Sequence, residues 1–81
     1  MGGQFEIVIK VIYLERIEFE NKMRSIIASM KSAGYDPFDQ LTGYLQTGDD
    51  NFITRTGDAR ALIRTLDKAQ IAEYLEKNKS L

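Results

Sequence analysis

Three groups of side chains in this sequence could do chemistry. The first is the turn Thr47-Gly48-Asp49-Asp50-Asn51, whose adjacent carboxylates and amide supply hard oxygen ligands suited to calcium. Its spacing argues otherwise. A calcium loop of the EF-hand kind alternates its ligands, needs glycine at the sixth place and ends in glutamate, and the sixth place from Asp49 is Thr54. The residues read as turn chemistry, with Asx side chains bonding their own backbone, and no metal is expected. The second group is Asp36 and Asp39, a carboxylate pair that could serve acid–base work. Asp36 directly precedes Pro37, so both acids fall in the first turn of a helix, where free N–H groups and the helix dipole stabilise negative charge. They read as capping residues. The third group is Arg60 and Arg64, one helical turn apart, with Asp58, Asp67 and Glu73 near in sequence. They read either as surface ion pairs of a few tenths of a kcal/mol each or as a two-arginine clamp for a phosphate or a partner carboxylate.

The chain has no histidine and no cysteine. That excludes disulfides and the common zinc constellations. No serine sits in a nucleophile-elbow setting, so the usual arrangements for covalent catalysis are absent. An enzyme is not expected, and neither is a cofactor.

Glycine, proline and capping residues punctuate the elements that must hold these side chains. From Glu15 to Ala33, Phe19, Met23, Ile26, Ile27 and Met30 recur at helical spacing, and Gly34 is placed to end that helix in a left-handed conformation. Asp36 and Pro37 open a second helix over 37–46, which turns Phe38, Leu41 and Leu45 inward and stops at Gly48. Gly43 within it costs about 1 kcal/mol relative to alanine, which predicts a ring or backbone packed closely against it. Tyr35 and Tyr44 straddle this helix and should close the core with their hydroxyls at its edge. After a loop, Thr56 can cap a third helix over 57–66, with Ala59, Leu62, Ile63 and Leu66 as its apolar stripe. Asp67 and Gln70 have the form of a capping box, opening a fourth helix over 68–77 with Ile71, Tyr74 and Leu75 inward.

Residues 5–13 break this pattern. Phe5, Ile7, Ile9, Val11 and Tyr13 alternate as a β-strand does. A lone strand leaves its backbone unpaired, so the segment pairs across a homodimer, continues into the helix or forms a tail. Pairing between chains is the preferred reading. The expected fold is mainly α, a single domain over 1–81, with 1–14 as strand or tail and 15–81 as a body of four short helices.

A chain of 81 residues buries only about 60 % of its unfolded surface and should expose roughly 5,000 Å² when folded. Burial and conformational entropy nearly cancel at this size, which makes a homodimer a reasonable expectation. Eleven basic and twelve acidic residues give a net charge of −1, with no basic patch for nucleic-acid phosphates. No apolar run reaches the length of a membrane span. The first six residues lack the basic region of a signal peptide, and a cytoplasmic location is the default expectation.

The framework Gly34-Tyr35, Pro37, Gln40, Gly43-Tyr44-Leu45, Gly48-Asp49, Ile53-Thr54, followed by Ala59-Arg60 and Leu62-Ile63-Arg64, resembles the IreB family over roughly residues 34–76. The resemblance implies a small, mostly helical, cytoplasmic homodimer from Gram-positive bacteria with no catalytic activity. It would be a regulatory phosphoprotein downstream of a membrane Ser/Thr kinase with PASTA repeats, in responses to cell-wall stress. The family carries its phosphoacceptor threonines in a polar N-terminal tail, whereas residues 1–24 here hold no serine or threonine. Asp36 and Asp39 stand where the family often has asparagine, and Asp50 replaces a common proline. Thr56 is then the candidate acceptor, because a phosphate at a helix start gains from the dipole and free N–H groups. The alternative reading is a small dimeric nucleic-acid-binding regulator, its helix-turn-helix drawn from residues 59–75, which the acidic balance disfavours.

Overall fold

The computed structural model describes residues 2–79, and their side chains from residue 6 onward. Four helices follow one another: α1 (Gly2–Ser32), α2 (Pro37–Thr47), α3 (Ala59–Ile63) and α4 (Lys68–Lys77), with a single 3-10 turn at Asp50–Phe52 between α2 and α3. No strand occurs among the described residues.

The expected strand over 5–13 and the expected helix over 15–33 are one continuous helix of 31 residues. The physical reason lies in the even positions. Val8, Ile12 and Leu14 are apolar as well, and Glu6 and Lys10, four residues apart, fit one helix face as readily as one strand face, so the pattern does not tell a period of two from one of 3.6. A second strand to pair with is also missing from the sequence. A helix closes its own backbone hydrogen bonds without one.

Local chemistry sets the remaining boundaries. Gly34 adopts φ +83°. The Gly34 N–H bonds the Lys31 carbonyl at 3.0 Å and the Tyr35 N–H bonds that of Met30 at 2.9 Å, the paired closure of a Schellman ending. Asp36 caps α2 by accepting from the N–H groups of Phe38 at 2.8 Å and Asp39 at 3.4 Å, with Pro37 at the first helical position. Asp67 does the same for α4, accepting from Ala69 at 2.7 Å and Gln70 at 3.3 Å. Replacing Asp36 with alanine should lower stability by about 1 kcal/mol. Asn at that position should restore most of the loss, as read by urea denaturation.

The third helix is shorter than expected. It begins at Ala59 after Asp58, which makes no side-chain cap bond, and ends at Ile63. Gly57 is in the left-handed region at φ +60° and cannot belong to a helix, so Thr56 does not cap α3. Beyond Ile63, bonds from Thr65 to Leu62 and from Leu66 to Ile63 tighten the chain into a turn before Asp67, which keeps α3 and α4 separate.

One face of α1, carrying Met23, Ile26, Ile27 and Met30, forms the spine of the core with Leu41, Tyr44, Ile53, Ala59, Ile63, Ile71 and Leu75. The helix packs chiefly against α3, while α2 meets α1, α4 and the 3-10 turn. Two expected core residues lie outside it: Phe38 and Tyr35 are 39 % and 54 % exposed. The packed part involves only the C-terminal half of α1. The N-terminal half projects, stretching the molecule to 50 × 23 × 22 Å and raising its accessible surface to 5736 Å².

Candidate functional site: the threonine loop

Residues 53–58 link the 3-10 turn to α3 without regular structure. They border a surface hollow whose walls include Tyr35, Gln40, Thr54, Arg55, Thr56 and Arg60. The loop is shaped by side chains reaching its backbone. Gln40 on α2 accepts from the Thr54 N–H at 3.0 Å. The Thr54 hydroxyl, itself buried, accepts from the Thr56 N–H at 3.2 Å, a hydroxyl turn that bends the chain outward at Thr56. Arg60 on α3 donates from Nε to the Ile53 carbonyl at 2.8 Å. Arg64, one turn further along, forms an ion pair with Asp50. The loop is closed against α1 as well, because Gly57 approaches so near to Ser29 that a Cβ built on it would lie 2.7 Å from the serine Oγ.

Arg60 and Arg64 therefore hold the turn at 50–53 against α3. A guanidinium has five donors, so Arg60 keeps N–H groups beyond the one bound to Ile53. Of the remaining framework residues, Gly34 and Gly48 end helices, Pro37 starts one, and Asp49 accepts from the Asn51 N–H at 2.9 Å to open the 3-10 turn. The ring expected against Gly43 belongs to Phe52, whose Cδ1 would lie 2.7 Å from an added Cβ. Tyr44 is buried beneath the Lys68 ammonium, 5.5 Å from its ring centre. The Gln40–Thr54 bond and the two arginine contacts were not readable in the sequence, since each joins residues 7 to 14 positions apart across a loop.

A kinase acceptor needs an exposed hydroxyl that can meet a catalytic aspartate in line with the γ-phosphate. Among the described residues, Ser25, Ser29, Ser32 and Thr42 lie on helices and Thr54 is buried. The Thr47 hydroxyl donates to the Gly43 carbonyl at 2.7 Å. The Thr65 hydroxyl donates to Leu62 at 2.7 Å and accepts from Lys22 at 3.2 Å. Thr56 is exposed and lies on the irregular loop, with Arg55 beside it and Arg60 on the same hollow.

A second hollow runs between α1 and α4, floored by Ile12, Phe19 and Tyr74. The two rings meet edge to face with centroids 6.1 Å apart. On its rim the Lys77 ammonium bonds the Glu73 carboxylate at 2.8 Å, and that bond and charge hold the Glu73 carboxyl below the usual range. Among the described residues no helix is long and apolar enough to cross a membrane.

A family model for the IreB regulatory phosphoprotein matches residues 6–79. The match takes in the helical body, the threonine loop and α1 from residue 6 onward, and reaches beyond the 34–76 framework mainly toward the N-terminus. The chain belongs to the IreB family of regulatory phosphoproteins.

Proposed function

We propose that this protein is a non-enzymatic regulator acting through protein–protein contacts, with Thr56 as its phosphoacceptor. The kinase would be a PASTA-repeat Ser/Thr kinase signalling cell-wall stress, and the protein a cytoplasmic homodimer of Gram-positive bacteria. The observation that carries this reading is the placement of Thr56. The family is one of phosphoproteins, the first 24 residues hold no acceptor, and the threonine loop presents one exposed hydroxyl between two arginines. Phosphorylation adds about −1.5 to −2 charges and three strong acceptor oxygens. On Thr56 these would lie within reach of Arg55 and the free donors of Arg60, pairing as guanidinium and phosphate do. The phosphate would then tie Arg55 and Arg60 together on the hollow that Asp39 also lines, ordering the loop and making its surface more acidic.

The test is incubation of the full chain with a purified PASTA-repeat kinase and Mg-ATP, with sites mapped by mass spectrometry. Phosphate should appear at Thr56, and the Thr56→Val variant should lose it. Incorporation at other positions alone would refute the assignment of Thr56. No incorporation, with the kinase active on a control substrate, would remove the kinase switch altogether.

A further inference from the structure

We propose that Gln40 decides which of the two threonines flanking Arg55 receives the phosphate, by holding Thr54 inward and leaving Thr56 outward. This deepens the reading of Thr56 as acceptor and rests on it. Thr54, Arg55 and Thr56 are consecutive, so both hydroxyls adjoin the same arginine, one on each side. A kinase reading only the nearest residues would meet two candidates. The fold presents one. Thr54 is 7 % exposed, while Thr56 is open to solvent.

The difference originates in a single peptide group. The Ile53 carbonyl and the Thr54 N–H belong to the same planar unit. Its oxygen accepts from Arg60 Nε at 2.8 Å, and its N–H donates to Gln40 Oε1 at 3.0 Å. Arg60 reaches it from α3 and Gln40 from α2, so the plane is gripped at both ends and held against rotation. Ile53, 1 % exposed, anchors the preceding residue in the core. The Thr54 hydroxyl is then placed to accept from the Thr56 N–H at 3.2 Å, which turns the chain outward. Downstream, Gly57 rests against Ser29 and Ala59 is buried. The loop is tied on both sides of a two-residue protrusion, Arg55 and Thr56.

Gln40 is a positioning residue, since it acts on the acceptor only through the Thr54 backbone. In the transfer, the threonine Oγ bonds the γ-phosphorus of Mg-ATP, and the bond from that phosphorus to the bridging oxygen of the departing ADP breaks. The hydroxyl proton passes to the catalytic aspartate of the kinase. Such a transfer depends almost wholly on placing the attacking oxygen in line. The Thr54 oxygen can be placed so only after the segment opens locally. Its share of phosphate therefore follows the population of the open form.

The test uses full-length variants, a PASTA-repeat kinase and Mg-ATP, with phosphate at each threonine quantified by mass spectrometry. Gln40→Ala and Gln40→Met both remove the acceptor of the Thr54 N–H, and methionine keeps the length of the side chain. Each should raise the ratio of phosphorylated Thr54 to phosphorylated Thr56 at least about fivefold, the change in open population that loss of one hydrogen bond allows. Gln40→Glu keeps an acceptor oxygen and should restore the parent ratio. Asp67→Ala removes the cap of α4 at a similar cost in stability and should leave the ratio as it is in the parent. An unchanged ratio in the Gln40 variants, with Thr56 still modified, would refute the role of Gln40 and leave Thr56 as acceptor. An equal rise in Asp67→Ala would reduce Gln40 to a contributor to general stability and overturn the proposal. Phosphate on Thr54 in place of Thr56 in the parent chain, or on neither, would overturn this inference and the assignment of Thr56 together.

Discussion

Replacing Ile63 with alanine is expected to lower stability by about 3 kcal/mol, within the range for deleting a fully buried isoleucine and leaving a cavity. A domain of this size holds roughly 4–12 kcal/mol in total, so the loss is a large share. Ile63 is completely shielded from solvent, as is Ala59. They are the two buried side chains of a helix only five residues long, too short to persist by its own propensity. Without Ile63, α3 loses its hold on α1. The Arg60–Ile53 and Arg64–Asp50 contacts then lose the platform from which the arginines reach. Thermal unfolding followed by circular dichroism should show a midpoint lower by about 12–24 °C. Amide protons of residues 53–56 should exchange faster than those of α2. The comparison is Gln46→Ala, an exposed side chain on α2, which should leave the unfolding nearly unchanged. An Ile63→Ala protein within 1 kcal/mol of the parent would mean that α3 is not anchored as described.

The second large effect is expected at Gly57. Alanine there meets two separate penalties. The left-handed backbone costs an L-residue about 1–2 kcal/mol, and the new methyl would lie 2.7 Å from Ser29 Oγ. Restricting the unfolded chain returns about 0.4–1 kcal/mol. With about 0.5–1 kcal/mol for the contact, a net loss of about 0.5–2.5 kcal/mol follows. The two causes separate in a double-mutant cycle. Ser29→Ala removes the oxygen in the way, leaving a Cβ at an ordinary 3.6 Å. It should therefore recover about 0.5–1 kcal/mol of the loss and none of the backbone part. Full recovery in the double variant would show that Gly57 is not held in the left-handed region. No recovery would show that the loop does not rest on α1 at Ser29. Since Gly57 follows Thr56, the single variant should also alter the rate of phosphate transfer to the loop.

These two sites also mark what the sequence discloses and what it withholds. Gly34, Asp36, Pro37, Gly48 and Asp67 act within four residues of themselves, as caps and stops, and their consequences are readable one residue at a time. Gly43 announced a close neighbour through its cost in a helix, although only the structure identifies Phe52. Residues 5–13 alternate as a strand does and yet are helical, because Glu6 and Lys10 are the only polar marks among apolar neighbours and fit both periods. The third helix was drawn too long because Thr56 has the chemistry of a cap, while Gly57 sets the backbone against it. The threonine loop could not be assembled beforehand. Gln40, Arg60 and Arg64 are ordinary surface residue types, and what defines them is which distant backbone or carboxylate they reach.

The bare half of α1 has one more consequence. Its side chains contribute almost nothing to holding their own body together, so substitutions there are hidden from the pressure that keeps a fold intact. A change of residue in that segment therefore alters what the helix can touch without loosening the helical body that carries it.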